Sequence, residues 1–319
     1  MRDAIRYNQP VIAPAFIGAS SAANPFAVTF YVSNTTNPTE NQGSPGPTRQ
    51  GRSPKNPFTS VASAISEAVA GRGDRIVIQR GTYTVSDLAV NKAGLVLEAA
   101  NPYGYPDHVL IQGDVYVTAD GVTLRGMEFF SNSASEGSVA VGMTSAGAFS
   151  EVNGFTAERC SFASDGTSEP EYGLRIFGGN NHTLIGCRFV DNTRALSLRS
   201  GSDSFISGVR ILFCEFLENT AYDIGTGSPT ENPDGSLDVT GDGLGRDGGV
   251  RNLVCKWNTF GTGEVTPTDF INIVGTSSGV MAENTFASAT NASATITIPA
   301  GILYGPNGTE AGWSSARPS

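Results

Sequence analysis

The chain has 319 residues, a formal net charge of −10 at pH 7, 39 glycines and 17 prolines. An acidic chain gains nothing from neutralising phosphate groups, so we expect no nucleic-acid partner. No run of about 18 apolar residues occurs, so the sequence predicts no membrane-spanning helix. With 16% charged residues, this Gly-, Thr-, Ser- and Asn-containing composition favours many short strands and tight turns over helices.

Residues 1–27 are predicted to form an extended N-terminal arm, with three prolines and scattered apolar residues. Met1 to Arg6 lead into a polar stretch rather than an apolar one, so we expect no secretory signal peptide. An arm of this kind is ordered only when something packs against it. The expected surface is a neighbouring subunit.

Residues 28–83 are predicted to form an N-terminal cap. A short strand, Phe30–Val32, precedes a loop rich in Pro, Gly and Asn that ends at Pro57. A helix is predicted from Thr59, with Gly71 past its end. Its apolar face would consist of Val61, Ile65, Ala68 and Val69. A strand from Arg75 to Gln79 and a turn at residues 81–83 follow.

A repeat begins after the cap. Six segments align on a final phenylalanine, and the spacings between these phenylalanines are 33, 27, 27, 44 and 26 residues. The segments read VTLRGMEF, FTAERCSF, HTLIGCRF, VRILFCEF, LVCKWNTF and GVMAENTF, and they end at Phe129, Phe162, Phe189, Phe216, Phe260 and Phe286. A base period near 27 with two longer intervals predicts a solenoid with insertions.

Other positions recur within each segment. The residue five before the phenylalanine is apolar, and the residue two before it is Met127, Cys160, Cys187, Cys214, Asn258 or Asn284. Strict alternation would place these two positions on opposite faces of a strand. A bend three before the phenylalanine, where Gly126 and Gly186 stand, lets both point inward. Three residues after the phenylalanine a polar column is predicted from Asn132, Asp165, Asn192 and Asn219.

These patterns predict an all-β fold, a right-handed single-stranded parallel β-helix with an N-terminal capping helix. Roughly 225 residues at about 27 per coil give about eight coils, a rod about 40 Å long at ~4.8 Å per coil. The β-helix with its cap is predicted to span residues 28–300. Residues 301–319 are predicted to be a short tail anchored by Trp313.

Three of the four cysteines share one position of the repeat. Cys160, Cys187 and Cys214 occupy the inward position two before the phenylalanine. Small buried thiols are the preferred interpretation. A disulfide between adjacent coils is the alternative, because the expected spacing between coils does not forbid one.

The order FYVSN, then PFTSVASAISEAVAGRGDRIVIQRGTYT, resembles the opening of right-handed β-helix proteins of the pectate-lyase-like superfamily. With the downstream coils, the resemblance covers about residues 28–300. The superfamily includes polysaccharide lyases and hydrolases, and also bacteriophage tailspikes and other virion proteins. The chain is most similar to the virion type, capsid decoration or tailspike. The resemblance therefore implies a fold and leaves the chemistry open.

Catalytic patterns of that superfamily are missing from the sequence. We find neither the polygalacturonase-like set of Asp-Asp, Gly-His-Gly and Arg-Ile-Lys nor the pectate-lyase pattern of Asp-His with Arg-x-Pro-x-x-Arg. Lys256 is the one candidate for an outward base, against the alternative of a solvated lysine. His182 is predicted to be a turn residue. We therefore expect no catalytic set.

A long acidic insertion runs from Thr226 to Gly249. Within it, Asp238, Thr240 and Asp242 have the oxygen-ligand spacing of the first half of a calcium loop. Gly249 stands where the acidic twelfth ligand of such a loop is expected. A bound Ca²⁺ and a solvated acidic loop both remain open.

Two aromatic residues occupy the bend position of successive coils. Phe213 and Trp257 stand where glycine or a charged residue stands in the other coils. Outward aromatic side chains there predict a subunit interface, with stacking on a glycan or packing under the acidic insertion as alternatives.

The first functional hypothesis is a bacteriophage virion structural protein, a capsid decoration or a tail spike or fibre component. It would be a non-catalytic homotrimer that contacts other virion proteins. The second is a secreted, extracellular polysaccharide lyase or hydrolase of the same fold. The third is a non-catalytic carbohydrate-binding solenoid.

Overall fold

The structure is a computed structural model. It describes residues 26–34, 51–102, 109–131, 138–163, 172–199, 206–226, 250–262, 269–273, 277–286, 295–309 and 312–314. Most of the predicted arm, the loop after Asn34 and the acidic insertion lie outside these ranges. Within the described residues, no helix is long and apolar enough to cross a membrane.

The described chain consists of one short helix and thirty short strands. The helix α1 spans Val61–Glu67. The strands are β1 Thr29–Val32, β2 Arg75–Ile78, β3 Gly81–Thr84, β4 Leu88–Val90, β5 Val96–Ala99, β6 Val109–Gln112, β7 Val115–Val117, β8 Thr123–Arg125, β9 Glu128–Phe130, β10 Val139–Val141, β11 Thr156–Glu158, β12 Ser161–Ala163, β13 Tyr172–Phe177, β14 Thr183–Ile185, β15 Arg188–Val190, β16 Arg194–Arg199, β17 Ile206–Ser207, β18 Arg210–Leu212, β19 Glu215–Leu217, β20 Tyr222–Gly225, β21 Val250–Arg251, β22 Leu253–Lys256, β23 Thr259–Thr262, β24 Asp269–Asn272, β25 Gly279–Ala282, β26 Thr285–Phe286, β27 Thr295–Thr297, β28 Ile302–Tyr304, β29 Asn307–Thr309 and β30 Gly312–Ser314.

Three long sheets run side by side along the chain. Sheet 1 has the order β1-β2-β5-β8-β11-β14-β18-β22-β25-β28, sheet 2 the order β4-β7-β10-β13-β16-β20-β24-β27, and sheet 3 the order β3-β6-β9-β12-β15-β19-β23-β26-β29-β30. Neighbouring strands are parallel except for the antiparallel pair β29 and β30. From β2 to β27 the chain visits the three sheets in the same order eight times. The predicted parallel β-helix of about eight coils is confirmed.

The bend between sheet 1 and sheet 3 has the backbone conformation that the repeat predicts. Gly126 and Gly186 have φ angles of 65° and 62°, in the left-handed region. The four other residues at this position also have positive φ: Arg159 (53°), Phe213 (54°), Trp257 (57°) and Glu283 (59°). A left-handed residue costs energy when it is not glycine. The coil geometry therefore overrides residue preference at four of the six bends.

The repeated phenylalanines form a continuous stack inside the solenoid. Consecutive rings from Phe129 to Phe286 have centroids 5.6, 5.0, 4.8, 4.8 and 4.9 Å apart and are nearly parallel. All six phenylalanines are buried. The stack follows from the parallel register, because each phenylalanine of one coil pairs with that of the next.

An asparagine ladder continues the cysteine column. Asn258, Asn284 and Asn307 follow Cys214 at the same inward position, and each is buried. The Oδ1 atom of Asn258 accepts the backbone N–H of Cys214 at 2.8 Å, and the Oδ1 atom of Asn284 accepts that of Asn258 at 3.0 Å. Each side-chain amide also donates to a backbone carbonyl, for example Asn284 to Cys255. The ladder satisfies polar groups that face the core.

The cap has the predicted parts with two differences. Ser60 caps α1 by accepting the backbone N–H of Ser63, and the buried residues of the helix are Val61, Ala64 and Ile65. Val69 is 49% exposed, because α1 ends at Glu67 and the backbone N–H of Val69 donates to Asp74 instead. Residues 81–83, predicted as a turn, belong to strand β3, which pairs with β6.

The described part of the predicted tail extends two of the sheets. Strand β28 pairs with β25 in sheet 1, and β29 pairs with β26 in sheet 3. Strand β30 then folds back on β29. The solenoid thus continues beyond residue 300 as a partial ninth coil.

Candidate functional site: the outer face of sheet 1

The outer face of sheet 1 is charged in its N-terminal half. Four side chains, Arg75, Glu98, Arg125 and Glu158, alternate in sign along four strands. Nε of Arg125 lies 2.8 Å from Oε2 of Glu158, and Nη1 of Arg125 lies 3.3 Å from Oε2 of Glu98. Arg75 also forms an ion pair with Glu98. Because both glutamates are buried, this network is part of the packing and binds the coils to one another.

The C-terminal half of the same face carries a strip of apolar side chains beside two cationic ones, Arg210 next to Val254 and Lys256 next to Leu212. In one column Val254 of β22 pairs with Val280 of β25, and Val280 with Leu303 of β28. In the neighbouring column Ile185 of β14 pairs with Leu212 of β18. Leu303 is 70% exposed and the other four are partly exposed. These five residues, with Phe213 and Trp257, are called the apolar outer face below.

Phe213 and Trp257 form the edge of the apolar outer face at the bend toward sheet 3. Their ring centroids are 4.9 Å apart with an interplanar angle of 10°, and Trp257 is 47% exposed. The repeat predicts this pairing, because both residues occupy the bend position of adjacent coils. Phe213 covers the face of the indole that points toward the N-terminal coils.

Lys256 lies on the outer side of β22, where the sequence analysis places it. Its Nζ atom lies 5.4 Å from the centroid of the Trp257 ring and 3.8 Å from Oε2 of Glu283, which belongs to the next coil. The ammonium and Glu283 therefore flank the indole from the C-terminal side.

The predicted calcium ligands cannot be placed. Asp238, Thr240 and Asp242 lie outside the described residues. In the part of the chain that the structure describes, no group of three His, Cys, Asp or Glu side chains is arranged to hold a metal ion. Among those residues, the carboxylate closest to Lys256 in an ion pair is that of Glu283.

The cysteine column consists of buried free thiols. Cys160, Cys187, Cys214 and also Cys255 are buried and unbridged. Burial raises the pKa of the Cys160 and Cys187 thiols well above the ordinary value, and it raises the pKa of Cys255 to about 12. Neutral thiols of this kind are poor nucleophiles and poor metal ligands. The interpretation as small core residues is supported.

His182, predicted as a turn residue, lies in the core. It is fully buried, and its Nε2 atom lies 3.1 Å from the carbonyl oxygen of Gly178. Its position is equivalent to that of Phe155 in the coil before and Val209 in the coil after. Burial lowers the pKa of His182, although the contact with Gly178 and the charge of Asp120 act in the opposite direction. A neutral core histidine has no access to a substrate.

A row of cationic and aromatic side chains on the outer side of sheet 2 was not found by sequence reasoning. Cζ of Arg175 lies 4.0 Å from the ring centroid of Tyr172 and 4.9 Å from that of Phe177. Cζ of Arg194 lies 5.2 Å from the Tyr172 centroid and 5.8 Å from the Tyr222 centroid. The only signal is the occurrence of Arg and Tyr in otherwise apolar strands. Arg175 is fully buried and contacts two rings of its own strand. Arg194 contacts rings of the coils before and after its own, so the row joins three coils.

The fold and the described site define a class of protein. The alignment with the crystal structure of pectate lyase Pel9A has a TM-score of 0.53 at 16% identity, and it covers 83% of this chain and 65% of that one. The chain thus spans 65% of the length of this lyase. The protein is a right-handed parallel β-helix, the fold that it shares with this lyase.

Two further structures align at lower scores. Pectin methylesterase from Aspergillus niger in its deglycosylated form has a TM-score of 0.46 at 12% identity, with 90% of this chain and 85% of that chain covered. ORF18 of Geobacillus virus E2 has a TM-score of 0.36 at 14% identity, with 89% and 63% covered. Scores below 0.5 carry no argument about function. No protein-family model matches the sequence, and no curated protein is significantly similar to it.

Proposed function

We propose that this β-helix is a non-catalytic structural protein of a bacteriophage virion, a capsid decoration or a tail spike or fibre component, that assembles as a trimer. The observation that carries the proposal is the apolar outer face. Exposed apolar patches with an aromatic anchor are typical of protein interfaces. The N-terminal half of the same sheet instead carries charged side chains that form ion pairs with one another.

The geometry of Trp257 favours burial against another subunit over stacking on a sugar ring. A sugar stacks on a ring face, but Phe213 occupies one face of this indole, and Lys256 with Glu283 flanks the other. The exposed part of Trp257 instead suits a pocket or groove on a second protein surface. Leu303 and Val280 extend the same surface away from the indole.

The virion assignment is also supported by the chemistry of the described residues. The buried histidine and cysteines have no access to solvent, and the buried glutamates are held in ion pairs. Lys256, the candidate base on the described outer face, forms an ion pair with Glu283 of the adjacent coil. A subunit of a virus particle requires a stable scaffold and a surface that binds its neighbours, and the apolar outer face can serve as that surface.

A light-scattering measurement of the molar mass tests the trimer. We expect three times 33.2 kDa for the wild-type chain, and a shift toward one chain for the double variant Trp257→Ala with Leu303→Asp. Val69→Asp is the matched control, because Val69 is an exposed apolar residue outside this face. A wild-type monomer at micromolar concentration would contradict the proposal. Detection of the chain in purified particles by mass spectrometry tests the virion location.

A second candidate function is polysaccharide cleavage. It is favoured by the fold shared with pectate lyase Pel9A and by the position of Lys256 on an outward strand beside an aromatic side chain. Incubation with uronate polysaccharides, followed by the ultraviolet absorbance of unsaturated ends and by reducing-end release, tests it. Activity that is lost in Lys256→Met and kept in Lys92→Met would replace the structural proposal. Repeating the molar-mass measurement with Ca²⁺ and with EDTA reports whether a bound cation stabilises the assembly.

A further inference from the structure

A closed ring of three identical chains requires two different contact surfaces on each chain. A twofold contact joins a surface to its own copy, whereas in a ring one surface of each chain meets another surface of the next chain. The apolar outer face supplies one of these two surfaces. If the chain is a trimer, as the proposed function holds and as this inference requires, the second surface lies elsewhere on the same chain.

The outer side of sheet 3 carries a second apolar column, called the sheet 3 strip below. It runs in register through β9, β12, β15 and β19 and consists of Phe130, Ala163, Val190 and Leu217. These side chains point outward, because the phenylalanine before each of them points into the core. Phe130, Val190 and Leu217 are partly exposed. The same column is polar before the strip, at Gln112, and after it, at Thr262.

The two apolar surfaces meet at one edge of the solenoid. A single left-handed residue separates sheet 1 from sheet 3 in each of these coils, and Phe213 and Trp257 are two such residues. Val254 comes three residues before its bend and Leu217 four residues after its own, so both lie roughly 10 to 13 Å from the edge at about 3.3 Å per residue. Two faces joined at an edge form a wedge, and three wedges can pack around a common axis.

The charges beside the two apolar surfaces are complementary. On sheet 1, Arg210 and Lys256 lie among the apolar side chains. In the coils of Val190 and Leu217, sheet 3 has three carboxylates, Asp191, Glu215 and Glu218, and one cation, Arg188. Arg188 forms an ion pair with Glu215, whose side chain is still 40% exposed. A cationic apolar surface and an acidic apolar surface suit each other as partners.

We propose that the sheet 3 strip binds the apolar outer face of a second copy of this chain, and that three such contacts close the ring. Phe213 and Trp257 then lie at the threefold axis. Because surfaces of similar height meet when this axis runs along the solenoid, the contact centres on the coils of Leu217 and Val254, which are neighbours. In that arrangement Leu217 of one copy packs against Val254 of the next, and Glu215 lies near Lys256.

A charge placed in the sheet 3 strip tests the contact. We expect light scattering to give the mass of one chain for Leu217→Asp and of three chains for Thr84→Asp. Thr84 is the matched control, because it is exposed and belongs to the same column of sheet 3, five coils before Leu217. A Leu217→Asp variant that keeps the mass of three chains would overturn this inference and leave the trimer intact. A wild-type monomer would instead contradict the proposed function itself.

Cysteine cross-linking tests the same contact without a buried charge, and it decides the matter if Leu217→Asp does not fold. We expect a short bismaleimide to link the double variant Leu217→Cys with Val254→Cys into products of two and three chains on a denaturing gel. Each single variant, and the control pair Val69→Cys with Val254→Cys, should remain single chains, because the four native thiols are buried. Linkage in Val254→Cys alone, or none in a double variant with the mass of three chains, would overturn the inference.

Discussion

The side-chain amide of Asn219 donates a 2.9 Å hydrogen bond to Oδ1 of Asp223, and both side chains are fully buried. Asn219 also accepts two hydrogen bonds from Asn192 in the preceding coil. Asp223 therefore ends a polar ladder inside the solenoid. Its second oxygen has no hydrogen-bond partner among the described residues.

The first prediction concerns the charge of Asp223. Burial raises the pKa of this carboxyl well above its ordinary value, and the hydrogen bond from Asn219 offsets only part of that effect. The resulting stability is fully present below the unfolded pKa of about 3.9 and is lost as the pH rises through the folded pKa. We expect Asp223→Asn, which keeps the acceptor and removes the charge, to be more stable than wild type by on the order of 2 kcal/mol at pH 8.

Urea denaturation at pH 5 and pH 8 checks this prediction. The difference in the free energy of unfolding between Asp223→Asn and wild type should grow from pH 5 to pH 8. A pH-independent difference would show that the carboxyl carries the same charge in the folded and unfolded states over this range, and it would contradict the prediction.

The second prediction concerns His182. Its pKa is lowered mainly by burial, so the unfolded chain binds the proton more readily than the folded one. Stability should therefore fall as the pH drops below the unfolded pKa of about 6.5. His182→Phe, which uses the residue type of the preceding coil, is expected to lose this part of the pH dependence. The two stability profiles between pH 7.5 and pH 5 should diverge, and parallel profiles would refute the assignment.

The third prediction concerns the asparagine ladder. Asn284 accepts from the backbone and side chain of Asn258 and donates to Cys255 and Asn307, at 3.0 to 3.1 Å. Asn284→Ala would leave several buried groups without partners, at a cost of about 1–3 kcal/mol each. We expect a loss of at least 3 kcal/mol in the free energy of unfolding by this reasoning. The exposed control Asn101→Ala should change it by less than about 0.5 kcal/mol.

The fourth prediction compares two glycines at equivalent bends. A Cβ atom on Gly126 would lie 2.4 Å from Cα of Pro102, whereas one on Gly186 would meet nothing closer than Cγ of Arg159 at 3.5 Å. Gly186→Ala should therefore cost only the left-handed strain, about 1–2 kcal/mol. Gly126→Ala should cost clearly more, because backbone must move. Thermal denaturation of both variants tests this difference. Equal losses of stability would mean that the backbone around Pro102 shifts at little energetic cost.

Much of the fold was predictable from the sequence because single residues mark the repeat in each coil. The six phenylalanines mark one position in every coil from Phe129 to Phe286, and Gly126 and Gly186 mark the bend. Stacked parallel strands place equivalent residues one above another, so one-dimensional spacing translates directly into a ladder. The placement of Phe213 and Trp257 in adjacent coils followed from the same rule.

Other features were not predictable because they depend on contacts between residues far apart in the chain. His182 reads as a turn residue beside Asn180 and Asn181, yet the coil directs its ring inward. The row of Arg175, Tyr172 and Arg194 depends on which strand side faces out in sheet 2. No local pattern specifies that side when both sides of a strand are apolar.

The sequence by itself determined the parallel β-helix, its eight coils and the inward ladders, since a regular period leaves one way of stacking. Only the tertiary structure decided that ion pairs connect the coils in one half of sheet 1 while the other half carries an apolar strip. It also decided that, among the described residues, no strand pairs with β3 or β4 on the side next to α1. These properties arise where separate coils, or the cap and the first coil, meet, and pairing across that distance leaves no periodic signal in the chain.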